Sequence, residues 1–61
     1  MKYEVIVVEH PHKLKAQLKL QEKVNELLKD GWDVNGGVSV SAYVFEFTQY
    51  YVLAQSMIKD E

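Results

Sequence analysis

With 61 residues and a mass of 7.1 kDa, the chain has room for a single domain spanning residues 1–61 and for only a small core, which excludes a two-domain enzyme. Apolar residues make up 48% and charged residues 26%, a globular composition, and the lack of cysteine removes disulfide staples, zinc ribbons and thiol chemistry. Nine acids against seven basic residues, every one a lysine, give a net charge of -2, so a broad nucleic-acid surface built on dense cationic patches and arginine is not expected.

The run from Lys2 to Glu9 is short and β-branched and stops at His10-Pro11, which predicts a strand. Tyr3, Val5 and Val7 alternate with Ile6 and Val8, so both faces of this strand are apolar and both call for cover. Glu4 interrupts the opening segment, which lacks a small-residue cleavage pattern and does not read as a secretory signal. No stretch approaches the roughly 20 apolar residues that cross a bilayer. A cytoplasmic protein without membrane association is expected.

Leu14 to Asp30 contains no Gly, Pro or aromatic residue, is rich in Leu, Lys, Glu and Gln, and is followed by Gly31, which predicts one helix. At 100° per residue, Ala16, Leu20, Val24, Leu27 and Leu28 form one stripe, and Leu14, Leu18 and Leu28 form a second beside it. Gln17, Gln21 and Asn25 run between them. An apolar face this wide exceeds what a three-stranded sheet needs as cover: either the helix is loosely amphipathic, or the edge carrying Leu14, Leu18 and Asn25 meets another subunit.

Trp32 and Val34 lead into Asn35-Gly36-Gly37, whose adjacent glycines predict a bulge or a close backbone approach. A strand through Val38, Val40, Ala42 and Val44 follows, with Ser39, Ser41, Tyr43 and Phe45 on its other face. The third strand is predicted over Tyr50 to Lys59. Tyr43 to Gln49 carries no Asn-Gly or Gly-rich signal, so the connection reads as a wider turn near Glu46 to Gln49, or as strands that project beyond the sheet.

The order strand, helix, strand, strand predicts an α+β fold. A right-handed crossover sets the first two strands parallel with the third antiparallel between them, giving sheet order 1-3-2 and one helix on one face. One helix covers one face only. The opposite face is then an exposed apolar patch or an interface, and a second copy is expected to complete the core as a homo-oligomer, dimer or higher.

Read together, Met1-Lys2-Tyr3 opening a strand, Val24-Asn25-Glu26-Leu27-Leu28 before Gly31-Trp32, then Gly36-Gly37-Val38-Ser39-Val40, and the closing Ala54-Gln55-Ser56-Met57-Ile58-Lys59 resemble the short bacterial and phage proteins grouped as domain of unknown function 1737. The resemblance covers nearly the whole chain. It implies a compact α+β module and brings no reaction and no catalytic residues. The chain departs from that pattern between Tyr43 and Tyr51, where five of nine residues are aromatic in place of a polar loop.

Few residues point to chemistry. Glu9, His10 and His12 are the only local cluster of metal-ligand types, and they lack the third histidine or cysteine that would make a set, so no metal and no cofactor is assigned. Lys13, Lys15, Lys19 and Lys23 crowd the helix start against the helix dipole; they form either a solvated basic face or, with His12, an anion site. Phe45 and Phe47 would share a face with Tyr43 if the strand continued, as part of a core, an interface or the floor of a pocket. No Ser-His-Asp order, paired carboxylates or activated nucleophile stands out, so an enzyme is not expected and no catalytic residue is named.

These readings predict a non-catalytic, oligomeric binding or interaction module, with a protein partner or self-assembly as its role. Its interface candidates are Leu14, Leu18, Tyr3, Phe45, Phe47, Tyr51 and Leu53. The alternative is a phage-encoded sponge that sequesters a small anionic nucleotide of host defence, such as a cyclic nucleotide, between subunits, with His12, Lys13, Lys15, Ser39, Ser41 and Tyr43 as the candidate contacts. An accessory structural subunit without ligand is the third possibility.

Overall fold

A computed structural model describes residues 1–60. Strand β1 (Lys2–His10) is followed by helix α1 (Lys13–Lys29), strand β2 (Asp33–Phe45) and strand β3 (Thr48–Lys59). The three strands form one sheet in the order β1-β3-β2, with β3 antiparallel to both neighbours. This is the architecture expected from the order and patterning of the segments. The molecule measures 45 × 17 × 15 Å and is therefore elongated along the strands.

The helix stops where the sequence says it should, and the geometry shows why. Asp30 caps it, Gly31 takes a φ of 88°, Gly31 N–H donates to Leu28 O at 3.2 Å and Trp32 N–H donates to Leu27 O at 3.0 Å. This paired arrangement satisfies the last carbonyls only if the residue after the cap is left-handed, which glycine adopts without steric penalty. Trp32 and Leu27 then both pack against the core.

One side of the sheet meets the helix. Ile6 and Val8 of β1, Leu53 and Met57 of β3, and Ala16 and Leu20 of α1 are buried together, with Val24, Leu27, Trp32 and Tyr51 packed around them. Parity follows from the register: Ile6 lies opposite Gln55 and Val8 opposite Leu53, so residues 51, 53, 55 and 57 of β3 share the helix side. Leu53 and Tyr51 therefore belong to the core side, correcting their assignment as interface residues. The third strand is apolar on both parities, and only its pairing with Ile6 and Val8 decides which set turns inward.

β2 begins at Asp33, earlier than expected, because the glycine pair sits inside the strand as an irregularity and not ahead of it. The register slips between Asn35 and Ser39, where three residues of β2 stand against the single Gln55 of β3. Gln55 is buried, and its Nε2 donates to Gly36 O at 3.1 Å and to Ser56 O at 3.0 Å. A side chain thus replaces the ladder bond that the bulge removes. Gly36 has a φ of 81°, whereas Gly37 does not enter the left-handed region.

The connection between β2 and β3 is tighter than expected. Phe45 pairs with Thr48, leaving a two-residue turn in which Glu46 and Phe47 both have positive φ, 48° and 65°. This is the backbone of the primed turn that matches strand twist, built here without Asn or Gly. Phe47 lies in the turn and is fully exposed, so it does not extend a row with Tyr43 and Phe45. The second expectation for this segment holds: β1 pairing ends at His10 opposite Tyr51, and the hairpin continues beyond it as an arm.

Candidate functional site

The structure leaves two apolar surfaces without cover. The first is the sheet face opposite the helix. By register it carries Tyr3, Val5, Val7 and Glu9 from β1, Tyr50, Val52, Ala54, Ser56 and Ile58 from β3, and Ser39, Ser41, Tyr43 and Phe45 from β2. Tyr3, Val5, Val7 and Phe45 are each about half exposed or more, although the strand residues around them are apolar. Two side-chain contacts stiffen this face. Tyr3 and Ser56 share a hydrogen bond of 2.9 Å through their hydroxyls, and the Tyr43 hydroxyl donates to Glu9 across the central strand.

Tyr43 also stacks on Tyr50, with ring centroids 5.4 Å apart and planes 19° from parallel. Its phenol is pushed up from 10.0 to about 12, first by the hydrogen bond to the Glu9 carboxylate, then by desolvation, then by the charges of Glu9 and Tyr50. The neutral phenol is the form this surface holds.

The second surface lies along β2 on the helix side. The helix sits over β1 and β3, and the valines of β2 that face its side, Val34, Val38, Val40 and Val44, remain exposed. Between α1 and β2 runs a groove of two adjoining parts, about 330 and 470 Å³. Leu20, Val38, Val40 and Leu53 form its apolar floor, and Gln17, Gln21 and Asn25 line its helical wall. The glutamine and asparagine stripe seen in the sequence is thus the wall of a cleft. Leu14 and Leu18, expected at an interface, are 66% and 55% exposed on the same uncharged arc of the helix.

The proposed anion contacts do not come together in one chain. Ser39, Ser41 and Tyr43 belong to the open sheet face, whereas His12, Lys13 and Lys15 open a helix packed on the other face, and Lys13 lines the groove. The first helical turn holds no acid, and His12 at the N-cap makes no side-chain capping bond. His10 Nδ1 instead accepts the His12 backbone N–H at 3.0 Å, which places the His10 proton on Nε2 when the ring is neutral. The His10 pKa is lowered from 6.5, first by desolvation, then by Lys19, His12 and Lys15. Among the described residues, no group of three His, Asp or Glu side chains is arranged to hold a metal ion.

The groove and the Gln55 bond to the bulge were not foreseen in the sequence. The signal for the groove was present in the spacing by four of Gln17, Gln21 and Asn25. Nothing marked Gln55, since a polar residue at that parity reads equally as a solvated strand position.

Comparison with protein-family models, with curated proteins and with solved structures finds no match to this chain. No helix of the described residues is long and apolar enough to cross a membrane.

Proposed function

We propose that the chain is a non-catalytic, self-associating binding module of the cytoplasm that works through contacts with other protein surfaces, its own copies first. The open sheet face carries this reading. Neither the helix nor another strand lies over it, and Tyr3, Val5, Val7 and Phe45 on it are each about half exposed or more. Of the two charges that the register places on it among the described residues, Glu9 is engaged by Tyr43 and Asp33 lies at the first residue of β2. The core on the helix side contains six buried apolar residues, a small number even for a domain of this length, and covering the second face would add to it.

Sedimentation at micromolar concentration tests the reading. Association that is weakened in Val5→Lys or Val7→Lys supports it, and a monomeric wild-type protein overturns it.

A second reading, capture of an anionic nucleotide between copies, draws on Lys13 and Lys15 beside a helix start that lacks acids. Because the serines and Tyr43 lie on the opposite face, that site would need two chains to assemble it. A thermal-shift series with cyclic dinucleotides separates the readings, since a ligand at a hundredfold excess over its Kd stabilises by about 2.7 kcal/mol.

A further inference from the structure

We infer that β2 is a pairing edge: two copies of this chain join β2 to β2, antiparallel about a two-fold axis, into one six-stranded sheet with the two helices side by side above it. The inference concerns a different surface from the open sheet face and shares with that reading only self-association.

The two edges of the sheet are unlike. β1 carries Lys2, Glu4 and Glu9 and is followed directly by Pro11, the kinds of residue that keep a free edge from pairing. From Val34 to Phe45, β2 has no charged residue and no proline, and every one of its residues is exposed. Past the bulge at Asn35 to Ser39 the strand runs seven residues in unbroken register, Ser39 to Phe45, about 24 Å at the usual rise per residue. A long, uncharged, regular edge is a template for another strand.

The layer above the edge matches it. The helix turns Lys23 and Glu26 toward β1, whereas Gln17, Gln21 and Asn25 line the groove over β2. By helical geometry Leu14, Leu18 and Leu28, all substantially exposed, fall in that same arc. Sheet edge and helix flank therefore form one continuous neutral surface, interrupted by Lys13 alone.

A second copy is the occupant this surface fits. An antiparallel edge is its own complement under a two-fold axis, and a surface without charge offers nothing by which to select a charged partner. An axis at Ala42 sets Val40 of one copy opposite Val44 of the other and Ser41 opposite Tyr43, so valines meet valines on the helix side. Leu14 and Leu18 of the two helices then face each other over the join.

The chain has no cysteine, so a single introduced thiol can bridge only between copies. Opposed residues of an antiparallel pair lie about 4.5–5.5 Å apart between Cα atoms, within the span of a disulfide. Ala42→Cys lies on the axis and opposes its own copy, so mild oxidation should convert most of the protein to a covalent dimer, whereas Ser41→Cys, which opposes Tyr43, and Lys2→Cys on the β1 edge stay monomeric. Val40→Lys and Leu18→Glu, both at exposed positions, should keep the circular dichroism of the wild type and lower the sedimenting mass, leaving only species joined through the open face. The inference is overturned if Ala42→Cys does not cross-link, if Val40→Lys sediments as the wild type does, or if the wild type is monomeric. Association lost in Val5→Lys but retained in Val40→Lys would overturn the edge pairing and leave the open-face reading in place.

Discussion

The Tyr43 hydroxyl of β2 donates to Glu9 of β1 over the top of the strand that separates them. Strands one and two are thereby tied to each other directly, as well as through β3. The contact also fixes a pH response. A phenol raised from 10.0 to about 12 is stabilised in its neutral form by the fold, so its contribution to stability is whole below pH 10 and is lost as pH rises through 12. Glu9→Ala should return Tyr43 toward its ordinary range. Phenolate absorbance titrations, with Tyr43→Phe as the subtraction standard, check this, and an unchanged midpoint in Glu9→Ala would refute it.

His10 gives the opposite slope at the other end of the scale. Its folded pKa lies below 6.5, so as pH falls under 6.5 the unfolded chain takes up the proton first and stability declines until the folded pKa is passed. Above 6.5 the group contributes no pH dependence. Imidazole proton shifts followed by NMR should show the His10 midpoint below 6.5, moving up in Lys19→Gln.

Gly36 and Gly37 should respond differently to the same substitution. Neither has an atom in the way of a Cβ, so the difference is conformational: Gly36 at φ 81° is left-handed and Gly37 is not. Gly36→Ala is expected to lower stability by about 1–2 kcal/mol and Gly37→Ala to change it little. Urea unfolding of the pair makes the comparison.

Gln55→Leu should cost about 1 kcal/mol, because the bond from the buried Gln55 amide to Gly36 O is lost. Gln55→Glu should cost more, since a carboxylate would face the Gly36 and Ser56 carbonyls. Equal losses in the two variants would show that the amide is a space filler and not a donor.

Phe47→Gly should stabilise the isolated chain by about 1 kcal/mol, because it relieves a left-handed phenylalanine that buries nothing within its own chain. If the arm packs on another copy, the same change weakens association while the monomer gains. Thermal unfolding at two protein concentrations separates these effects.

The helix and the strand faces were legible because their signals are local. Gly31 ends the helix whatever surrounds it, and the alternation of Ser39, Ser41 and Tyr43 against Val38, Val40 and Val44 is fixed by pleat geometry. The turn was not legible. Glu46 and Phe47 have no preference for positive φ, and it is the pairing of Tyr43 with Tyr50 and of Val44 with Gln49 that forces them there. The inward parity of Tyr51 and Leu53 was equally hidden, since β3 takes its orientation from Ile6 and Val8, more than 40 positions earlier. The anion contacts failed to meet for a related reason: which face the helix covers decides whether lysines and serines are neighbours, and no short window of sequence records it.

The sheet order has a consequence for how the molecule is made. Lys2 pairs with Lys59 and His10 with Tyr51, so the strand synthesised first has no partner until the last one emerges. α1 and the β2–β3 hairpin can form from neighbouring residues within microseconds, whereas β1 must wait with two apolar faces and both edges bare. The hairpin is the platform on which β1 docks, and slow translation through β3 would lengthen the interval in which a nascent chain is most prone to aggregate.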